Sequence, residues 1–219
     1  MKTSWAALGA AMALAAAGAA HASVSLTTGV QVSNPSLYNG FEGIGDWAGN
    51  PDFTGPYSEG GITVQYVNDD GIWTTSQAEE GTHSWYNDGG GNGYTDITRT
   101  DGGDFKEISF ATGSGYFGGG ASLLYEVLNN GVTVATGLAG PVPGYQSGWT
   151  FYGFTGGGFD EVRLKVSFDG AFSPTAFEGG AYDAIAANGG VPEPATWAMM
   201  IVGFGLAGAM VRRRKLAVA

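Results

Sequence analysis

Aromatic side chains recur in Gly-, Asn- and Asp-rich segments of the chain, a combination that could bind sugars. A sugar presents a flat apolar face, which an aromatic ring covers, and hydroxyl groups, which carboxylates and amides hydrogen-bond. Loops carried by a rigid β-scaffold often hold such sites. A hydrophobic core would explain any single one of these rings equally well. The candidate glycan-binding residues are Trp47, Trp73, Trp85, Tyr86 and Tyr94.

Acidic turns offer a second chemistry, the binding of a hard cation. Carboxylate oxygens in loops are the ligands that Ca²⁺ prefers. Residues 90–97 also resemble one calcium-binding nonapeptide repeat, although Asp96 stands one position late and no second copy follows. The same residue types form turns without any metal, so both interpretations stay open. The candidate calcium ligands are Asp69, Asp70, Asp88, Asp101 and Asp104.

No catalytic residue is predicted. His83 is the single histidine between residues 23 and 190, and no G-x-S-x-G nucleophile elbow accompanies it. The chain has no Cys, which excludes thiol catalysis and Cys-ligated metal sites. A glycosidase needs only two carboxylates, so a polysaccharide-active enzyme remains an alternative to a non-catalytic module.

The elements that would position these residues are strands. Apolar residues alternate with polar ones at period two, and helical patterning is nearly absent. The Asn130-Gly131 step between two apolar runs favours a two-residue hairpin turn. We predict an all-β fold, an antiparallel β-sandwich or jelly roll. Strands are predicted over residues 62–66, 105–110, 123–128, 132–136, 149–154, 162–168 and 182–185.

The first 22 residues have the pattern of a secretory signal peptide. Lys2 precedes an apolar run over residues 5–20, and small residues flank His21. This order predicts a signal helix over 1–22 that signal peptidase removes, with an uncleaved anchor as the alternative. The residues that define the cleavage site are Ala20, Ala22 and Ser23.

Residues 195–211 carry no charge and are followed at once by a basic cluster over 212–215. At 1.5 Å per residue the run reaches about 25 Å, which is close to the thickness of a hydrocarbon core. We therefore expect a single transmembrane helix over 195–211. The positive-inside rule keeps the cluster in the cytoplasm and the body of the chain in the periplasm.

A Pro-Glu-Pro tripeptide stands immediately before this span, and a Trp-Ala-Met-Met block over residues 197–200 follows it. Together with the basic end, this tail resembles the PEP-CTERM sorting signal of the PEPxxWA subtype, which is also labelled an ice-binding protein C-terminal motif. The resemblance implies that an exosortase cuts near the tripeptide and delivers the body to the cell surface or the exopolysaccharide matrix. The implied sorting residues are Pro192, Glu193, Pro194, Trp197, Arg212, Arg213 and Arg214.

The body, residues 23–190, is strongly acidic. The whole chain has a formal charge of −11, but the body has 4 basic and 19 acidic residues, or −15. This acidity argues against nucleic acid as a partner. The order of the hairpin, the aromatic strand and the closing segment 181–185 resembles galactose-binding-like jelly rolls, which implies a fold rather than a ligand. No tandem repeat supports a solenoid ice-binding protein.

These observations predict an exported protein with three parts: a signal peptide (1–22), a β-sandwich (23–190) and a sorting tail (191–219). The sandwich is interpreted as a non-catalytic structural or glycan-binding module, and exopolysaccharide is its candidate partner. Two alternatives remain open at this point. One is a secreted polysaccharide-active enzyme, and the other is an adhesive or ice-contacting surface protein.

Overall fold

The computed structural model describes residues 23–44, 55–68, 72–75, 78–87, 93–115, 120–167, 179–190 and 201–205. Residues 72–75 and 87 are described by their backbone alone. The chain divides into two units, one over Ser23–Val191 and one made of Met1–Ala22 with Pro192–Ala219.

The smaller unit is described only over residues 201–205, which form a short helical stretch with exposed side chains. Across the described ranges, no helix is long and apolar enough to cross a membrane. The predicted signal helix over 1–22 lies outside the described residues, and the predicted span over 195–211 lies outside them except for 201–205.

The described part of the larger unit contains thirteen strands. They are β1 (Ser25–Thr28), β2 (Leu37–Asn39), β3 (Tyr57–Glu59), β4 (Ile62–Val67), β5 (Ile72–Thr75), β6 (Ser84–Asn87), β7 (Tyr94–Arg99), β8 (Phe105–Ser114), β9 (Ala121–Asn129), β10 (Val132–Val142), β11 (Thr150–Phe159), β12 (Glu161–Ser167) and β13 (Gly180–Gly189).

These strands form two antiparallel sheets. The first sheet has the order β1-β11-β8-β13-β6-β5, and β2 also pairs with β13. The second sheet has the order β10-β9-β12-β7-β4-β3. Eight of the eleven strand pairs described join strands that are not consecutive in sequence, as in other sandwiches with crossing connections. The predicted all-β antiparallel sandwich is confirmed.

Alternation along the strands builds the core between the two sheets. Ile62 and Val64 of β4, and Val162 and Leu164 of β12, are fully buried, as the period-two pattern predicts. The first sheet contributes aromatic rings to the same core, such as Phe110, whose centroid lies 6.2 Å from that of a neighbouring strand's Phe. Burial of each Phe side chain stabilises the fold by about 2 kcal/mol.

The predicted hairpin joins β9 and β10. Asn129 pairs with Val132, which leaves Asn130 and Gly131 as a two-residue turn. Both turn residues have positive φ, 50° and 74°, the geometry of a type I′ turn that suits the twist of the flanking strands. The side chain of Asp160 accepts hydrogen bonds from the backbone N–H of Asn130 at 3.0 and 3.1 Å and supports the turn.

Two of the predicted strands, β11 and β12, differ from the sequence-based expectation. First, β11 continues to Phe159 through residues 155–158, whose glycines resemble a turn in sequence but form an irregular, bulged strand. Second, the polar positions of β12 were expected to be exposed, yet Lys165 is 3% exposed and Ser167 is fully buried. Lys165 pairs with Leu124, which is 4% exposed, so this end of the outward face is covered.

Candidate functional site

The register of the second sheet lines up five polar residues across its outward face, which we call the polar row. Each member stands opposite the next on a neighbouring strand, while the residues directly after or before it in sequence face the core. Because side chains alternate along a strand, these five must point away from the core. The polar row consists of Gln65, Asp96, Arg163, Glu126 and Thr136.

Arg163 lies at the centre of the polar row and is held on three sides. Its Nε donates to Glu161 Oε1 at 2.5 Å, and its Nη1 donates to Glu126 Oε2 at 3.2 Å. The guanidinium lies over the ring of Tyr94, 5.2 Å from the ring centroid. Charge-assisted hydrogen bonds and ring stacking together fix the plane of the guanidinium.

The three ionic side chains remain accessible although they are fixed. The exposed fractions are 29% for Arg163, 30% for Glu126 and 21% for Glu161. Tyr94 is half-buried, and this burial raises the pKa of its phenol. The neutral ring, the oriented guanidinium and the carboxylate oxygens therefore face the same solvent-accessible surface.

Asp96 occupies the buried end of this cluster. Its pKa is raised to about 7, first by burial and then by the charge and hydrogen bond of the Glu161 carboxylate, whereas Gln65 and Arg163 oppose the rise. Gln65 Nε2 donates to Asp96 Oδ2 at 3.2 Å, while the buried Oδ1 accepts no hydrogen bond. The raised pKa favours a proton on Asp96 beside the Glu161 carboxylate.

Sequence analysis did not select Gln65, Glu126, Glu161 or Arg163 as site residues. Alternation along the strands was the only sequence signal that could have indicated these residues. It places on one face of each strand positions 94, 96 and 98, and positions 161, 163 and 165. The pairing of β7 with β12 was not encoded in any local pattern. Asp96 lies in the middle of β7, so it does not belong to a calcium-binding turn of the nonapeptide kind.

The predicted aromatic group does not form one surface. Trp85 is wrong as a glycan contact, because it is fully buried and its ring stacks on Phe41 with centroids 5.9 Å apart. Tyr86 lies on β6 of the first sheet, whereas Tyr94 lies on β7 of the second. Trp73 belongs to β5, of which only the backbone is described, and Trp47 lies outside the described residues.

The predicted calcium ligands are only partly described. Asp101 Oδ2 accepts a hydrogen bond from Arg99 at 2.6 Å, and its Oδ1 accepts one from the N–H of Gly103 at 3.0 Å, which makes a turn without metal. The backbone carbonyl of Asp104 accepts from Arg99. Within the described residues no group of three or more acidic or histidine side chains could hold a metal ion. The candidates Asp69, Asp70 and Asp88 lie outside them.

His83 lies in the loop before β6, which hydrogen bonds to the Glu42 carboxylate hold in place. Glu42 Oε1 accepts from the backbone N–H groups of Thr82 and His83 at 2.7 and 3.1 Å, and Oε2 accepts from the Thr82 hydroxyl at 3.0 Å. The hydrogen bond from the backbone of Thr82 is the largest cause that lowers the pKa of Glu42, to about 2. The Thr82 hydroxyl also lies 2.8 Å from His83 Nδ1, so Thr82, His83 and Glu42 form one hydrogen-bonded group in this loop.

Asp183 anchors the other end of the same loop. Its Oδ2 accepts from the N–H groups of Glu79 and Glu80 at 2.7 and 3.2 Å, and its Oδ1 accepts from the N–H of Ala184 at 2.6 Å. Burial raises its pKa to about 7, although these three donors lower it. The carboxylate therefore connects the closing strand β13 to the loop before β6, a structural role.

Comparison with known proteins accounts for the C-terminal end of the chain. Residues 190–215 match a model described as the PEP-CTERM protein-sorting motif. The tail is a PEP-CTERM sorting motif. It implies that the protein is exported and processed by an exosortase. The sorting residues named from the sequence, from Pro192 to Arg214, lie outside the described residues.

The body has no match among curated protein sequences. Among solved structures it resembles the CBM22-1 xylan-binding domain from Paenibacillus barcinonensis Xyn10C, with 18% identity, a TM-score of 0.37 and coverage of 72% of this chain and 97% of that one. It also resembles the CBM22-1-CBM22-2 tandem domain of the same protein, with 16% identity, a TM-score of 0.38 and coverage of 75% and 48%. Xylan binding is a property stated for the first of these proteins.

Proposed function

We propose that this protein is an exported cell-surface or exopolysaccharide-matrix protein whose β-sandwich is a non-catalytic glycan-binding module. Signal peptidase and exosortase would process its two ends, and the C-terminal helix would hold it in the inner membrane until the tail is cut. The observation that carries the proposal for the body is the accessible Arg163 guanidinium, fixed by two carboxylates over the ring of Tyr94.

The chemistry of this surface suits a sugar. A pyranose ring offers axial C–H groups to an aromatic face and hydroxyl groups that both donate and accept hydrogen bonds. Glu126 and Glu161 provide acceptors, and Arg163 provides donors, all within one partly exposed patch. Because the side chains are already held in place, little conformational entropy is lost when a ligand binds.

The alternative of a polysaccharide-active enzyme is less well supported by this geometry. Retaining glycosidases separate their two carboxyl groups by about 5–5.5 Å and inverting ones by about 6.5–9.5 Å, so that the sugar or a water molecule fits between them. Asp96 and Glu161 instead share a hydrogen bond, and Glu161 also accepts from Arg163. Neither carboxyl group is free to flank a glycosidic bond.

An adhesive or ice-contacting surface is the remaining alternative. Thr98, Thr63 and Ser58 do follow one another across the outward face, as a flat hydroxyl-bearing surface would require. The Thr63 hydroxyl, however, bonds to those of Ser58 and Thr100 at 2.8 and 3.0 Å. The Thr63 hydroxyl is thus engaged by two neighbouring hydroxyl groups, which leaves it little capacity to bond further ligands.

Affinity electrophoresis of the purified mature protein in gels containing xylan, mannan, galactan or dextran tests the proposal. Arg163→Ala should weaken binding of the retained polysaccharide about tenfold or more, which corresponds to about 1.4 kcal/mol. Lys106→Ala is the matched control, because it removes the same charge from an exposed position on β8 of the first sheet. Arg163→Lys keeps the positive charge, so a loss of binding in this variant is attributed to the missing guanidinium and not to misfolding caused by loss of the charge.

Retention by one polysaccharide that Lys106→Ala preserves and both Arg163 variants reduce would support a glycan module. Equal retention by all the proteins would contradict it. Release of reducing sugar that Glu161→Gln abolishes would favour the enzyme instead.

A further inference from the structure

We propose that the glycan bound at the polar row is uncharged, and that polysaccharides bearing carboxylate or sulfate groups bind this surface more weakly. This inference rests on the proposed function of the body and names its ligand class.

The basic residues of the body provide the first argument. Arg99 donates to the carbonyl of Asp104 and to the carboxylate of Asp101, both at 2.6 Å. Lys165 is 3% exposed and Arg163 bonds two carboxylates. Lys106, which is exposed, lies on β8 in the other sheet. The described outward face of the second sheet therefore offers no uncommitted cation.

Recognition of an anionic sugar depends on such a cation. A guanidinium binds carboxylate or sulfate best through two parallel N–H donors. Arg163 already uses Nε and Nη1 for Glu161 and Glu126. An anionic sugar would have to displace one of these carboxylates, and the displaced carboxylate would stay beside it.

The charges around Arg163 also oppose an anion. Glu126 and Glu161 each carry a negative charge, so Arg163 balances only one of them even when Asp96 is protonated. The body as a whole has a formal charge of −15, which repels polyanions at longer range. Both effects weaken as salt is added.

A hydroxyl group, in contrast, fits the hydrogen-bonding capacity that remains. Carboxylate oxygens accept more than one hydrogen bond, so Glu126 and Glu161 can each accept a sugar O–H while they hold Arg163. In the described part of the chain no acceptor contacts Arg163 Nη2, which can donate to a second sugar oxygen. Adjacent hydroxyl groups of a neutral sugar match this pair of acceptor and donor.

The test compares polysaccharides that share a backbone and differ in charge. The mature protein is titrated, by isothermal calorimetry at low salt, with dextran and carboxymethyl dextran, hydroxyethyl and carboxymethyl cellulose, and methyl-esterified and de-esterified polygalacturonan. For any backbone that binds, we expect the charged member to bind about tenfold more weakly, with a smaller gap at higher salt. Equal or tighter binding of the charged member would overturn the ligand class and leave glycan binding itself intact.

Two variants that each remove one negative charge show which part of the protein discriminates against anionic polysaccharides. Glu126→Gln, which keeps an acceptor for Arg163, should lower the ratio of neutral to anionic affinity by about threefold or more. Glu107→Gln removes the same charge from β8 of the first sheet and should leave that ratio unchanged. Equal effects of both variants would assign the discrimination to overall charge and overturn the role of the polar row. Failure of every polysaccharide to bind would reject the proposed function together with this inference.

Discussion

At the scale of single residues, Arg163 and Asp96 show how one outward row of a sheet acquires chemical character. Arg163 is fixed by Glu126 and Glu161, and Asp96 is buried against Glu161. The contacts of Arg163 with Glu126 and Glu161 orient its guanidinium as a hydrogen-bond donor. The burial of Asp96 beside Glu161 favours a proton on Asp96. Arg163 and Glu161 lie on β12, Glu126 lies on β9 and Asp96 lies on β7, so a single substitution alters contacts between strands as well as charge.

The proton held by Asp96 predicts an unusual dependence of stability on pH. Its pKa rises from 3.8 to about 7 on folding, so the folded state binds the proton more tightly than the unfolded state. The resulting stabilisation is complete below about pH 4 and is lost as the pH rises through 7. Asp96→Asn should flatten this dependence and raise the melting temperature at pH 8 by about 4 °C.

Asp183 provides the contrast for that experiment, because burial also raises its pKa to about 7. Asp183→Asn should lower the melting temperature at every pH, since one oxygen that accepts backbone N–H groups is replaced by a donor. Thermal melts from pH 4 to 9 distinguish the two variants. A parallel pH profile for Asp96→Asn and the wild-type protein would contradict the raised pKa of Asp96.

At the scale of elements, two connections determine how the strands are joined. The hairpin between β9 and β10 is encoded locally, because both turn residues adopt positive φ. The loop before β6 is instead held by distant carboxylates, Glu42 at one end and Asp183 at the other. A substitution in the hairpin turn is expected to destabilise it through backbone strain. A substitution at Glu42 or Asp183 is expected to destabilise the loop before β6, because backbone N–H groups of that loop lose their acceptors.

Gly131 makes the first of these expectations measurable. Its φ is +74°, and nothing lies within 4 Å of the position that a Cβ would occupy. Gly131→Ala should therefore destabilise the fold by about 1 kcal/mol through backbone conformation alone. Asn130→Gly should change stability by less, since glycine adopts the same φ freely. Urea unfolding compares the two variants, and a Gly131→Ala protein as stable as the wild type would contradict the type I′ turn.

Glu42 makes the second expectation measurable. Glu42→Ala should speed amide hydrogen exchange at Thr82 and His83, because both N–H groups lose their acceptor. Amides within β8 and β13 should exchange as in the wild-type protein. The same loss should occur in the unmodified protein as the pH falls through about 2, the value to which the pKa of Glu42 is lowered. Unchanged exchange at Thr82 would show that other contacts hold the loop.

At the scale of the whole molecule, the sorting motif and the proposed glycan site belong to different parts of the chain. The matched sorting motif covers residues 190–215, whereas the polar row lies within Ser23–Val191. The body has 4 basic and 19 acidic residues, a balance that disfavours binding to nucleic acid. Processing and binding should therefore be separable by mutation.

Replacement of Pro192 and Pro194 by Ala tests that separation. From the sequence, the two prolines are expected to favour an extended Glu193 that an exosortase can reach. In a host with that enzyme the variant should keep its tail, and intact-mass spectrometry should show the added mass. Its affinity for polysaccharide should equal that of the wild-type body. A normally trimmed variant would contradict the role of the two prolines.

Local sequence patterns were sufficient for the sorting tail, the all-β class, the Asn130-Gly131 hairpin and the apolar faces of β4 and β12. The hairpin and the apolar faces depend on residues that are adjacent or two positions apart, and the tail depends on features that follow one another within residues 190–215. Six strands were not predicted: β1, β2, β3, β5, β6 and β7. The first five have three or four residues, which show too little alternation, and the polar residues of β7 resemble a turn in sequence. Trp85 was misassigned because burial depends on what packs against a residue and not on its neighbours in sequence.

The candidate site was decided by tertiary structure alone. Glu126, Asp96 and Arg163 lie on three strands that are far apart in the chain, and they meet because β12 pairs with β9 on one side and β7 on the other. That strand order follows from how the two sheets bury their common core, a property of the whole chain. Alternation establishes that a side chain faces outward, but only the register determines which charge it meets there.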